Sequence, residues 1–211
     1  LLDEKGILSF YSLNSATESW RKHGGVQFEN VQNVLPKNNK TEDYSPTTSE
    51  NNNLLSIDPK DFYQSLDSFG LSYGKFYQPI TTIKATSTAA WAELERPDGA
   101  PDRCLIDGCF QTVAACINLS KASGQLLLPI GADQINMAQW PLPSKLRCNA
   151  SLKPSEENKS TLVADLTLHS DTGLCGQIIG LKLRRLNRSV LELLFPQVEY
   201  DENIPKVFKT N

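Results

Sequence analysis

Apolar residues recur in two different rhythms along this chain, and the change of rhythm divides it. Residues 7–13 (ILSFYSL) are rich in strand formers, residues 14–19 form a polar turn, and residues 20–31 return through Gly24-Gly25. That predicts two strands, which are not a stable domain by themselves and need a sheet to join. Residues 36–53 (PKNNKTEDYSPTTSENNN) are almost free of apolar side chains. Burial there cannot offset the entropy of ordering, so a linker is expected, drawn as 36–56. Asp58-Pro59 then opens a helix, with Asp as N-cap and Pro at the first helical position. Phe62, Leu66 and Phe69 follow at helical spacing and Gly70 ends it. An extended stretch comes next, with Ile83, Ala85, Ala89 and Trp91 expected on one face and small enough for close packing.

Residues 105–119 (LIDGCFQTVAACINL) switch to the helical rhythm. Ile106, Cys109, Phe110, Val113, Ala114 and Ile117 make a broad apolar stripe. After a polar turn at 120–125 the alternation returns, through Leu146, Cys148, Ala150 and Leu152, then Leu162, Ala164, Leu166 and Leu168. A turn at 171–173 leads into an apolar strand over 174–186. The sum is a long antiparallel sheet with one central apolar helix, an α+β fold. Residues 191–211 lose the pattern and are expected to lead toward a following domain.

Bulk properties narrow the possibilities only modestly. The 211 residues fit one to two domains at ~150 residues each. The net charge of -3 implies no basic face, which argues against a nucleic-acid partner. No apolar run approaches the ~20 residues of a membrane helix, and the first residues do not resemble a signal peptide. The five cysteines (104, 109, 116, 148 and 175) form no C-x-x-C pair. Reduced, buried thiols in a cytoplasmic protein are therefore expected, with no metal site or disulfide framework.

One position carries potential chemistry. Asp107 interrupts the apolar stripe of the central helix, and a carboxylate there is costly unless paired or protonated. Burial would raise its pKa, which suits a general acid. Gln111, one turn later, shares its face and can orient it. The alternative is an acidic residue at a helix start, favoured by the macrodipole. The two histidines, His23 beside Gly24 and His169 beside the 171–173 turn, read as surface or strand-end residues. Tyr73-Gly74 could bring a phenol and a close backbone approach to a site, or simply form a turn after the helix.

Three stretches, taken together, resemble the dehydratase domains of polyketide synthases. LIDGCFQ (105–111) is similar to their D-x-x-x-Q/H motif, GLSYGKFYQPI (70–80) to G-x-x-Y-G-P-x-F, and LLLPIGADQI (126–135) to the L-P-F-x-W region. All three stand in family order. Residues 7–26 resemble the last strands of the family's N-terminal hot-dog, with Trp20, His23 and Gly24-Gly25 near a W-x-x-H-x-x-G pattern.

The resemblance implies a double hot-dog, each half a sheet wrapped around a helix. Residues 1–35 would end the N-terminal hot-dog and 57–190 would form the C-terminal one. It implies a hydro-lyase that takes water from a 3-hydroxyacyl chain to leave an enoyl thioester. A histidine of the N-terminal hot-dog would remove the α-proton, and Asp107, oriented by Gln111, would protonate the leaving hydroxyl. Tyr73, Gly74, Leu128 and Pro129 would line the acyl tunnel. The implied partners are an acyl carrier protein, neighbouring synthase domains and a second copy in a homodimer. The substrate would ride on phosphopantetheine, with no cofactor bound directly.

The chain departs from the family pattern in three places. The H-x-x-x-G-x-x-x-x-P motif, expected before residue 1, is absent. Lys75 replaces the Pro after Tyr-Gly, and the region around Ala132 lacks the Trp. These departures leave open a non-catalytic pseudo-dehydratase with a packing or docking role. A hot-dog double-bond isomerase or thioesterase is a third reading.

Overall fold

The computed structural model describes residues 7–14, 18–27, 54–119, 125–138, 140–154 and 160–187. The chain forms two compact units, Leu1–Lys37 and Asn38–Asn211. Most of the expected linker at 36–53 and the whole exit segment at 191–211 lie outside the described residues.

The first unit contains a hairpin of β1 (Ile7–Asn14) and β2 (Ser19–Gln27), as the strand-rich pattern predicts. A register shift between Phe10 and Tyr11 interrupts the pairing. Phe10, Leu13 and Trp20 are exposed on it. His23 lies on β2, its Nε2 at 2.6 Å from Ser12 Oγ.

The second unit begins with β3 (Leu55–Ile57), which pairs with β4 (Ile80–Ala85). Leu55 and Ser56, the last residues of the expected linker, thus belong to this strand. Between them runs α1 (Pro59–Ser68), capped as its sequence requires. The Asp58 carboxylate accepts from the backbone N–H groups of Lys60 and Asp61 at 2.8 and 3.3 Å. At the other end Gly70, at φ +97°, donates to Asp67 O, and Leu71 N donates to Leu66 O. These two bonds satisfy carbonyls that a helix end otherwise orphans, and the positive φ suits glycine. Phe62 and Leu66 face inward and are buried.

β5 (Ala89–Glu95) follows a tight turn, and here the expected face is wrong. Ile83 pairs with Ala92 and Ala85 with Ala90, and it is this set that is fully or nearly fully buried. Ala89 and Trp91 lie on the opposite face. The reversal at 86–88 shifts the inward parity by one residue, a shift that continuous alternation cannot reveal.

The central helix α2 (Arg103–Leu119) packs against β4, β5 and β8 (Lys145–Leu152). The sheet continues through β9 (Thr161–Ser170) and β10 (Gly173–Asn187) to β6 (Gln125–Gly131). Its order is β3-β4-β5-β8-β9-β10-β6, antiparallel throughout, with β7 (Gln134–Met137) also paired to β10. The alternation of β8 and β9 holds as expected. Leu146, Cys148 and Ala150, and Leu162, Ala164, Leu166 and Leu168, are buried toward the helix. The result is the expected α+β hot-dog, a sheet wrapped around one helix.

Two features let the helix sit close to the sheet. Ala85, Ala90 and Ala92 present methyl groups only. Gly108 presents nothing at all, since a Cβ there would stand 2.3 Å from Leu94 Cδ2 and 2.5 Å from Pro79 Cγ. Leu105, Cys109, Val113 and Cys116 fill the inner face of α2, all fully buried. All five cysteines are buried thiols, outside any disulfide.

Candidate active site

The close seat of α2 fixes the residue before Gly108, which is Asp107. It stands on the second turn of the helix, and the first turn holds no acidic residue. The helix-start reading therefore fails, because the dipole effect is confined to the end turn. Asp107 is half-buried and lines a mostly apolar pocket. The pocket lies between α1, the 69–73 segment, α2 and strands β6 and β10. Tyr73, Asp107, Gln111 and Pro129 all line it, so four of the six expected site residues converge.

The other two do not. Gly74 is exposed, and the space where its Cβ would stand is empty for 4 Å around. No close approach requires glycine there. It begins a single 3₁₀ turn, Lys75–Tyr77, its carbonyl accepting from Tyr77 N at 2.8 Å. Leu128 is not in the lining of this pocket either. Side chains alternate along β6, so Leu127 and Pro129 line the pocket and Leu128 does not.

A hydrogen-bond chain holds the acid. Gln111 Nε2 donates to Asp107 Oδ2 at 2.7 Å and to the Tyr77 carbonyl at 3.0 Å. Its Oε1 accepts from the Tyr63 hydroxyl at 2.9 Å, and that hydroxyl accepts from Ile80 N at 3.2 Å. Every polar atom of the Gln111 amide is engaged, so its NH₂ can only face Asp107. The Tyr63 ring meets the Tyr73 ring edge-on at 6.1 Å. Tyr63 escaped the sequence reading. Its only signal is a polar atom carried on an otherwise apolar helix face beside Phe62.

Burial pushes the Asp107 carboxyl above its usual range, and the Gln111 hydrogen bond opposes part of that rise. Burial, then the neighbouring Asp107 charge, pushes the Tyr73 phenol up to about 12. Tyr63 is raised too, chiefly by burial. Both phenols therefore keep their protons at neutral pH. A carboxyl with a raised pKa in a mostly apolar cleft is the state from which a proton is given to a substrate oxygen. His169, the last but one residue of β9, points away from the helix. Burial, then the Arg147 charge, lowers its pKa.

Among the described residues, no cluster of His, Cys, Asp or Glu could hold a metal ion. Among them, too, no helix is long and apolar enough to cross a membrane.

Comparison with known proteins decides the family. Residues 42–192 match the family described as polyketide synthase dehydratase N-terminal domain. The chain belongs to the polyketide synthase dehydratase family. No curated protein matches it. Solved dehydratase structures resemble it in fold. An inactive mutant of the CurJ dehydratase superposes with a TM-score of 0.68 at 19% identity, over 90% of this chain and 66% of that one. The dehydratase domain of RzxB from Pseudomonas fluorescens gives 0.62 at 18% identity, over 84% and 63%. That of PpsC from Mycobacterium tuberculosis gives 0.60 at 18%, over 79% and 60%. The chain thus spans 60–66% of the length of these three solved domains.

Proposed function

We propose that this chain forms the acid-bearing half of a dehydratase, which removes water from a 3-hydroxyacyl thioester. The reading rests on Asp107, a half-buried carboxyl with a raised pKa, held by Gln111 in the lining of a mostly apolar pocket. Asp107 gives its proton to the β-hydroxyl as the Cβ–O bond breaks, so the oxygen leaves as water rather than hydroxide. The α-proton goes to a base, and its C–H electron pair becomes the new double bond. The family resemblance assigns that base to a histidine of the N-terminal hot-dog, and the Asp107–Gln111 motif makes residues 57–190 the C-terminal one, although the matching family model is described as the N-terminal domain. An acyl carrier protein presents the thioester on its phosphopantetheine, and neighbouring synthase domains supply and consume the chain.

Product mass tests this reading. The intact synthase, given a 3-hydroxyacyl-pantetheine thioester, should yield a product lighter by one water. An unchanged mass with a shifted double bond would make it an isomerase, and release of free acid a thioesterase. No conversion at all would make it a pseudo-dehydratase.

A further inference from the structure

A second space lies beside the acid's pocket and has the opposite character. It is an open groove between α1 and the 72–80 segment. Lys60, Gln64 and Asp67 line it from one face of α1, at helical spacing, and Ser72 and Gln78 line it from the segment. All five side chains are exposed. Ser72 Oγ donates to the Asp67 carboxylate, and Gln78 Nε2 donates to the Tyr73 carbonyl at 2.6 Å. Tyr73 is the one described residue that lines both spaces. Tyr63 lines the groove, and its hydroxyl reaches Gln111 in the lining of the pocket. These two rings, edge-on at 6.1 Å, therefore stand between solvent-exposed polar groups and the pocket of Asp107.

We propose that this groove is the water port of the active site: the water formed at Asp107 leaves past Tyr63 and Tyr73 into it, and the acid regains its proton by the same route. The inference rests on the dehydratase reading and gives water a path separate from that of the acyl thioester. Each turnover carries the acid's proton out in the water molecule and leaves Asp107 as a carboxylate. One proton from bulk water restores it, and the base gives the α-proton up to bulk, so no net proton is consumed. Water crossing a hydrocarbon wall would give up its hydrogen bonds. Along the groove it exchanges one polar partner for the next, from the tyrosine edge to Gln78, Ser72, Gln64 and Lys60. Two rings in edge contact need only a small rotation to pass a molecule of that size, whereas an acyl chain would have to displace them.

The test uses the intact synthase in deuterium oxide, with a 3-hydroxyacyl-pantetheine thioester that carries heavy oxygen in its β-hydroxyl. Substrate is recovered early in the reaction and analysed by mass spectrometry. Deuterium at the α-carbon counts molecules that returned from the enoyl state. Loss of heavy oxygen counts those whose water was replaced before the return. In the native protein the two should rise together. Gln64→Trp and Ser72→Phe put a ring into the groove from opposite walls, and neither residue lines the acid's pocket. Each should yield recovered substrate that has gained α-deuterium yet kept its heavy oxygen, because water that cannot leave is added back. Gln64→Ala removes the amide without filling the groove and should match the native protein. Labels that move together in both ring variants overturn the port and leave the dehydratase reading intact. Oxygen retained equally by Gln64→Ala also overturns it, since an open groove would then hold water back. If no enoyl thioester forms and neither label moves in the native protein, the dehydratase reading has failed and the port falls with it.

Discussion

The Tyr63 hydroxyl donates to Gln111 Oε1 at 2.9 Å, joining two helices across 48 residues of sequence. Because the same hydroxyl accepts from Ile80 N, its hydrogen has one direction to take. Gln111 is thereby prevented from flipping its amide, and its NH₂ stays on Asp107. Tyr63 is a positioning residue that acts on the acid through Gln111.

Tyr63→Phe keeps the ring and removes this control. The Ile80 N–H and Gln111 Oε1 both lose a partner, at a cost of about 1–3 kcal/mol of stability. Weaker donation by Gln111 should let the Asp107 pKa rise further, because that bond is what lowers it. The alkaline limb of the rate profile should therefore move to higher pH, while kcat falls about tenfold as the acid loses its orientation. A pH–rate profile of the variant beside the native enzyme checks both. A profile displaced to lower pH would contradict the role given to Tyr63.

Asp107 should also cost stability at neutral pH. Its folded-state pKa is raised, so the folded chain holds the proton more tightly than the unfolded chain does. The carboxyl's contribution is complete below the ordinary carboxylate range and is lost as pH rises through the raised value. Asp107→Asn carries no charge, so it should melt above the native protein at pH 7, and the gap should shrink as pH falls toward 4. Thermal unfolding at both pH values measures this. A variant less stable at pH 7 would show that the charge is better solvated than burial implies.

Gly108→Ala tests what positions the acid. The added methyl would overlap Leu94 and Pro79, so α2 must shift or the sheet must yield. Overpacking of this kind costs about 1–3 kcal/mol, which a urea unfolding midpoint resolves. Activity should fall by more than the unfolded fraction accounts for, because Asp107 moves with the helix. Native stability in the variant would mean that the close seat of α2 is not needed.

Local chemistry made part of this architecture legible in advance. The Asp58 cap, the Gly70 stop and the alternation of β8 and β9 depend on neighbours in sequence, and all stand where the pattern puts them. Asp107 and Gln111 were readable because helical spacing makes them partners whatever the tertiary fold. Tyr63 was not, since its partners lie 48 and 17 residues away and come together only when α1 docks on α2. The face of β5 was misread, and Leu128 was grouped with Pro129, for another reason. Strand parity depends on where a turn or bulge adds one residue, and runs such as 126–128 are apolar at every position.

The most direct measurement is the dehydration rate of Asp107→Asn in the intact synthase, with unfolding followed alongside to show that the variant is folded. Asn keeps the size of the side chain and an acceptor for Gln111 but cannot give up a carboxyl proton. The rate should fall by about 10²–10⁴-fold, the span that proton transfer from a positioned acid supplies. Dehydration at the native rate would contradict the assignment of Asp107 as the acid.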